Sequence, residues 1–307
     1  MKSKCVIYLT LLPALLVARA LRAEESHHFN LTAAQNGTVI ESFETVDIGH
    51  RNLRYFCSGG GAPTVLAEGG PGFSFEESMT RTVPMGWQIV FQQVTTRTRM
   101  CVYDRANVGK SDLAPTPRTT LDAVHDLHLL LRAAAISPPY LLVGHSGGGF
   151  NVRLYASLYH REIAGMVLID SSHPDQWARW RDVLPPPAPG EFWELAGLRA
   201  PPGLSLSSER IDLARSAEQV RKTGTLGTIP LVVLTRDPHW SGDPGTPPDL
   251  QPVIEGVWQD LQRDLLRLST HSRQIIAIQS GHAIQRDQPQ LVVDAIFDVL
   301  AQCRRSR

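Results

Sequence analysis

Short strand-like runs alternate with helix-like segments along most of this chain, and that alternation limits what it can fold into. Stretches at 53–58, 64–67, 100–103, 140–143, 166–169, 231–234 and 274–278 read as strands. Several are continuous apolar runs, the pattern of strands buried on both faces of a parallel sheet. Between them Leu121, Val124, Leu127 and Leu131 recur at helical spacing, with Thr120 as a candidate N-cap. Phe150, Leu154 and Leu158 share a helical face, as do Val253, Val257, Leu261 and Leu265. A last stripe, from Leu291 to Leu300, follows Pro289, a residue suited to a first helical turn. Strand–helix alternation of this kind predicts an α/β protein with a doubly wound sheet.

The alternation breaks between about 173 and 228. That region holds Pro185, Pro186, Pro187, Pro189, Pro201 and Pro202 together with Trp177, Trp180, Phe192 and Trp193. So many aromatic rings are costly to leave in water. The region is expected to be a small lid packed over one edge of the sheet. The stretch 238–252 is rich in proline and glycine and reads as a loop.

The N-terminus reads differently from the rest. Lys2 and Lys4 precede an apolar run at 5–18 that contains Pro13, and Ala18-Arg19-Ala20 and Leu21-Arg22-Ala23 follow. A charged start, a short apolar run and small residues describe a secretory signal peptide over 1–23. The run is shorter than the ~20 apolar residues a membrane span needs. The mature chain is therefore expected to be exported, periplasmic or secreted, with no stable membrane insertion. Export leaves Cys57, Cys101 and Cys303, an odd number, which suggests one disulfide and one spare thiol. Thirty basic and thirty acidic side chains give zero formal net charge, which argues against a nucleic-acid surface.

Candidate chemistry centres on YLLVGHSGGGF, residues 140–150. Gly-x-Ser-x-Gly alone carries little information. It gains meaning when a strand feeds it and a helix leaves it, because the serine then sits on a tight, strained turn. Both halves are present here, so Ser146 is read as a nucleophile, with the following helix N-terminus favouring developing negative charge. A serine hydroxyl needs a base. His282, in Ile278-Gln279-Ser280-Gly281-His282, follows the last strand and so belongs to the same sheet edge. His125 and His128 lie within a helix, His27 and His28 near the mature N-terminus, and His145 is expected to point away from its neighbour. Two carboxylates could orient the base: Asp237, after the strand in LVVLTRDP, and Asp170, ending the strand in MVLIDSS. Asp237 is preferred and Asp170 is the alternative. Gly70, in LAEGGPG, and Gly147 are the candidate oxyanion donors through their backbone N–H groups.

Taken together, VLAEGGPG, CVYDRANVGKSD, LLVGHSGGGF, VLIDSS, LVVLTRDP and SGHAIQRDQPQLV resemble the motifs of the α/β-hydrolases over roughly residues 43–302. Two departures stand out: Asn107 replaces the first glycine of the family's Tyr-Asp-Arg-x-Gly-x-Gly-x-Ser turn, and Glu68 replaces the histidine of the commoner His-Gly-Gly-Pro-Gly. The resemblance implies a mostly parallel sheet of about eight strands, formed by residues 24–172 and 229–307. The lid, 173–228, is then inserted after the sixth strand. It also implies that the second and fourth strands are neighbours, so that Cys57 and Cys101 pair and Cys303 stays outside the bridge. The implied activity is hydrolysis of an ester or related acyl bond in a small-molecule substrate, without a cofactor. Aminopeptidase- and perhydrolase-type relatives share the triad, and a non-catalytic binding protein shares the fold. Gly-Lys-Ser at 109–111 lacks the earlier glycine of a phosphate loop, since Asp104 stands there. No metal-ligand spacing is evident.

Overall fold

The computed structural model describes residues 43–80, 86–186, 197–240 and 246–305, all within the compact unit Val39–Arg307. The expected signal peptide, and Phe192 and Trp193 of the expected lid, lie outside the described residues. Eight strands form one sheet: β1 Glu44–Asp47, β2 Asn52–Ser58, β3 Thr64–Glu68, β4 Met100–Asp104, β5 Tyr140–His145, β6 Ile163–Ile169, β7 Leu231–Arg236 and β8 Ser272–Ala277. Their order is β1-β2-β4-β3-β5-β6-β7-β8. The β1–β2 and β2–β4 pairs are antiparallel and all the rest parallel. The result is the mostly parallel, doubly wound sheet that the alternation predicts.

Helices cover both faces. On one side α1 (Phe75–Met79), α2 (Trp87–Val94) and α9 (Pro289–Arg305) pack over Val65, Leu141, Val143, Val167 and Val232. On the other, α3 (Thr120–Ala133) and α4 (Gly148–Leu158) pack over Leu66, Leu142, Met166 and Leu168. Consecutive residues of β5 thus enter opposite cores, which is why its sequence is apolar without alternation. Leu141 and Leu142 are fully buried, and truncating either to alanine costs about 2–5 kcal/mol.

Several local differences from the sequence reading have physical causes. The N-cap of α3 is Thr119, one residue earlier than expected. Its hydroxyl accepts from Asp122 N while the Asp122 carboxylate accepts from Thr119 N, a reciprocal capping box. Strand β1 leaves no strand signal in the sequence because it is a short, largely exposed edge with no apolar alternation. Strand β7 runs on through Thr235 and Arg236, both buried, which matters for the site.

Cys57 and Cys101 face each other directly across the antiparallel β2–β4 pair and are joined by a disulfide. Cys303 lies outside that bridge, buried, its Sγ donating to Ala164 O.

Between β6 and β7 the chain leaves the sheet and carries α5 (Gln176–Val183) and α6 (Leu213–Arg221). Trp180 and Leu184 pack on Ile254, Val257 and Leu261 of α7 (Gln251–Asp264). Ala217 and Val220 pack on Phe150 at the start of α4. The inserted segment is therefore docked against helices that follow β5 and β7.

Candidate active site

The parallel strands deliver their C-terminal ends to one edge, where open α/β sheets build their sites. Ser146 sits in the turn between β5 and α4 with φ +54°, a conformation rarely adopted by a residue with a side chain. The turn is tied to the strand next door: Ser146 N donates to Ile169 O at 3.1 Å and Ser146 O accepts from Ser172 N at 3.0 Å. Only glycine fits beside it. A Cβ on Gly148 would lie 2.3 Å from Glu68 O, and one on Gly149 would lie 1.8 Å from Ser171 Oγ.

His282 stands in the turn after β8, just before α8 (Ile284–Asp287). Its Nδ1 donates to Asp170 Oδ2 at 2.6 Å. Ser146 and His282 both line one cavity of about 300 Å³, walled in part by Trp177, Trp180, Trp240 and Trp258. A second cavity, of about 210 Å³, opens on Ser146 beside Gly69, Pro71, Gly147 and Asn151.

Of the two candidate aspartates, the one that meets His282 is Asp170. Asp237 is not brought to His282: its carboxylate accepts from His239 N at 2.8 Å and Gln279 N at 2.7 Å, securing the turn that leads to the histidine. The reason is strand length. Because β7 continues through Arg236, Asp237 begins the following loop at once and has no reach toward the ring. Asp170 instead ends β6 with φ +39° and zero exposure. Its Oδ1 accepts from Trp258 Nε1 at 2.7 Å and Arg236 N at 3.2 Å, and its Oδ2 from Arg236 Nη1 at 3.2 Å as well as from the imidazole. Burial alone would push this carboxyl up. The bond to His282, the Arg236 charge and the Trp258 N–H outweigh it and hold Asp170 below the ordinary carboxylate range.

His145 packs against the other histidine. Its ring lies 4.8 Å from that of His282, and its Nε2 donates to His282 O at 2.9 Å. Burial, then the neighbouring His282, push it down to about 3. It is a neutral support for the backbone that carries the other histidine.

The segment 63–215 matches the family model for the alpha/beta hydrolase fold. The uncharacterized protein YqjL of Bacillus subtilis (strain 168) is 30% identical over 250 residues, spanning 81% of this chain and 88% of that protein. This chain belongs to the α/β-hydrolase fold family. Among solved structures, a thermophilic esterase from Thermogutta terrifontis superposes with TM-score 0.51 at 18% identity, covering 85% of this chain and 99% of that one. The mouse alpha/beta hydrolase domain-containing protein 10 gives 0.57 at 17% identity, covering 85% and 99%. At such identities these two speak for the fold alone.

Within this α/β-hydrolase, the loop after β3 brings Gly70 against the serine: a Cβ built on Gly70 would lie 3.5 Å from Ser146 Oγ. Neither the Gly70 nor the Gly147 N–H is engaged by another group among the described residues. Glu68, where the family carries histidine, is buried and accepts from Tyr103 Oη, Arg105 Nη1 and Asn151 Nδ2. Asn107, the other departure, takes φ +69°, which asparagine tolerates better than most residues. Its side chain pairs with the backbone of Ala114 in both directions.

Sequence reasoning passed over the residues that hold the site rather than line it. Arg236 lies between the Trp240 and Trp258 rings, 4.6 and 4.7 Å from their centroids, and pairs with Glu255 at 2.8 Å. An arginine two residues beyond the apolar run Leu231 to Leu234, at the end of the strand, was the available signal.

Proposed function

We propose that this α/β-hydrolase is a serine hydrolase that cleaves a carboxylic ester or a related acyl bond. The observation that carries the reading is the 2.6 Å contact between His282 Nδ1 and the buried Asp170, with Ser146 on a positive-φ turn facing the same cavity. Asp170 fixes the tautomer in which Nδ1 carries the proton, which leaves Nε2 unprotonated and able to accept. Nε2 takes the Ser146 proton as Oγ attacks the acyl carbonyl. The Gly70 and Gly147 N–H groups receive the oxyanion, helped by the N-terminus of α4. His282 then gives the proton to the leaving alcohol, and water, deprotonated in turn by His282, releases the acyl group. Asp237 is a loop anchor in this scheme.

The tryptophan-walled cavity adjoins His282, so the group that receives its proton sits among the indoles, which favours an apolar alcohol portion. The described residues of the segment between β6 and β7 act as a lid on the sheet and the helices packed against it. The cross-strand disulfide supports export, since such bonds persist in oxidising compartments. Among the described residues no helix is long and apolar enough to cross a membrane.

A fluorophosphonate probe tests the reading. It labels the folded wild type at Ser146 and leaves Ser146→Ala unlabelled. Folded wild type that takes no label would instead favour a protein that uses the fold only to bind.

A further inference from the structure

The loop that carries Gly70 is held by a single guanidinium. Arg105 follows β4 and is 4% exposed. It has five N–H donors, and the structure gives five acceptors. Nε donates to Glu209 Oε1 at 2.8 Å, and Nη2 to Glu209 Oε2 at 2.9 Å and to Gly70 O at 2.7 Å. Nη1 donates to Glu68 Oε2 at 2.7 Å and to Gly69 O at 3.1 Å. Glu209, with zero exposure, also accepts from Gly72 N at 2.5 Å. One ion pair therefore grips three successive parts of the loop: the Gly69 carbonyl, the Gly70 carbonyl and the Gly72 amide.

The Gly69 carbonyl and the Gly70 N–H belong to the same peptide group. That peptide is not among the cis bonds of the chain, so its C=O and N–H point in opposite directions. A donor fixed on the oxygen fixes the direction of the N–H. Charge donated to the carbonyl also polarises the amide and strengthens its N–H as a donor.

Resting on the serine-hydrolase reading, we propose that Arg105 is a positioning residue that aims and polarises the Gly70 N–H toward the oxyanion, and that Glu209, from the inserted segment, holds Arg105 in that role. Lysine cannot substitute, because a point donor cannot satisfy two carboxylates and two carbonyls in one plane. The segment between β6 and β7 thereby acts on the chemistry from a distance, through a carboxylate that touches no reacting atom.

The test uses the full-length protein and three probes. 4-Nitrophenyl acetate reports kcat/KM. Phenylboronic acid forms a tetrahedral adduct with a serine and reports complementarity to the transition state. Benzyl alcohol serves as an apolar alcohol ligand that forms no tetrahedral adduct with the serine. In Arg105→Lys and Glu209→Gln, kcat/KM is expected to fall about 10–100-fold, less than the 10²–10³ expected for removing a donor outright. The boronate inhibition constant rises by the same factor, and that of benzyl alcohol stays within about twofold. General loosening of the site would weaken both ligands together, and that outcome overturns the proposal. If Arg105→Lys does not fold, judged by circular dichroism, the near-isosteric Glu209→Gln decides alone: unchanged kcat/KM and boronate affinity refute the positioning role. A wild type that neither releases nitrophenolate nor takes a fluorophosphonate label refutes the serine-hydrolase reading itself. An active, labelled wild type paired with an unmoved Glu209→Gln refutes only the positioning claim.

Discussion

Replacing Asp170 by asparagine separates the two carboxylates most sharply. The side chain keeps its size but must choose which edge presents its NH2. On the Oδ1 edge stand the Trp258 indole N–H and the Arg236 backbone N–H. Neither can turn away, so the amide oxygen is forced to that side. The NH2 then faces Arg236 Nη1 and His282 Nδ1, where the carboxylate oxygen accepted before. The imidazole can satisfy it only as the tautomer with Nδ1 unprotonated, which places the proton on Nε2, the atom that receives the Ser146 proton in the proposed mechanism. A buried triad carboxylate changed to its amide lowers kcat about 10⁴-fold, equivalent to about 5.4 kcal/mol of barrier at 1.36 kcal/mol per tenfold. Asp237→Asn alters an exposed turn that two backbone amides hold, so its effect on kcat is expected to stay within about threefold. Both variants are assayed on one chromogenic ester under saturation, with folding checked by thermal melting. The reasoning fails if Asp170→Asn keeps more than a tenth of wild-type kcat, or if Asp237→Asn loses as much as Asp170→Asn.

Ser146→Gly abolishes turnover and relieves the strain of a side chain at φ +54°, raising stability by about 1 kcal/mol; a melting temperature at or below wild type contradicts this. The Cys57–Cys101 bridge spans 44 residues, and loop-closure entropy assigns it about 4 kcal/mol. The Cys57→Ala, Cys101→Ala variant should therefore melt roughly 8 °C lower, and an unchanged melting point refutes that value. His145 is pushed down to about 3 and His173 to about 4, chiefly by burial, whereas both titrate near ~6.5 when unfolded. Their contribution is intact above ~6.5. As pH falls below that, the unfolded chain binds protons that the folded one refuses, so between pH 7 and 5 stability drops by roughly 2 kcal/mol per histidine. Urea midpoints at the two pH values measure the loss, and His145→Gln should remove about half of it.

Much of this protein is legible in its order of residues because the informative contacts are local. A run such as Tyr140 to Val143, apolar without alternation, identifies a strand buried on both sides, and the glycines after it reveal a turn with no room for side chains. The histidine after the last strand could be assigned to the right edge because parallel strands all present the same end there. Asp170 and Asp237 were harder to rank. Both follow strands, both precede His282 in the chain, and the difference lies in two residues of extra strand in β7 and in what Trp258 and Arg236 do beside β6. None of that is local. The Arg105 clamp is harder still, since its partners Glu68 and Glu209 lie 37 and 104 residues away in sequence.

The chain by itself determined the layered architecture, the turn that carries Ser146 and the edge that receives His282, because hydrophobic period and backbone sterics act over a few neighbouring residues. Only the tertiary structure decided which carboxylate meets the imidazole and which guanidinium steadies the Gly70 loop. Those choices depend on donors and acceptors from distant segments converging to within about 3 Å around buried carboxylates. A one-dimensional pattern does not record that convergence.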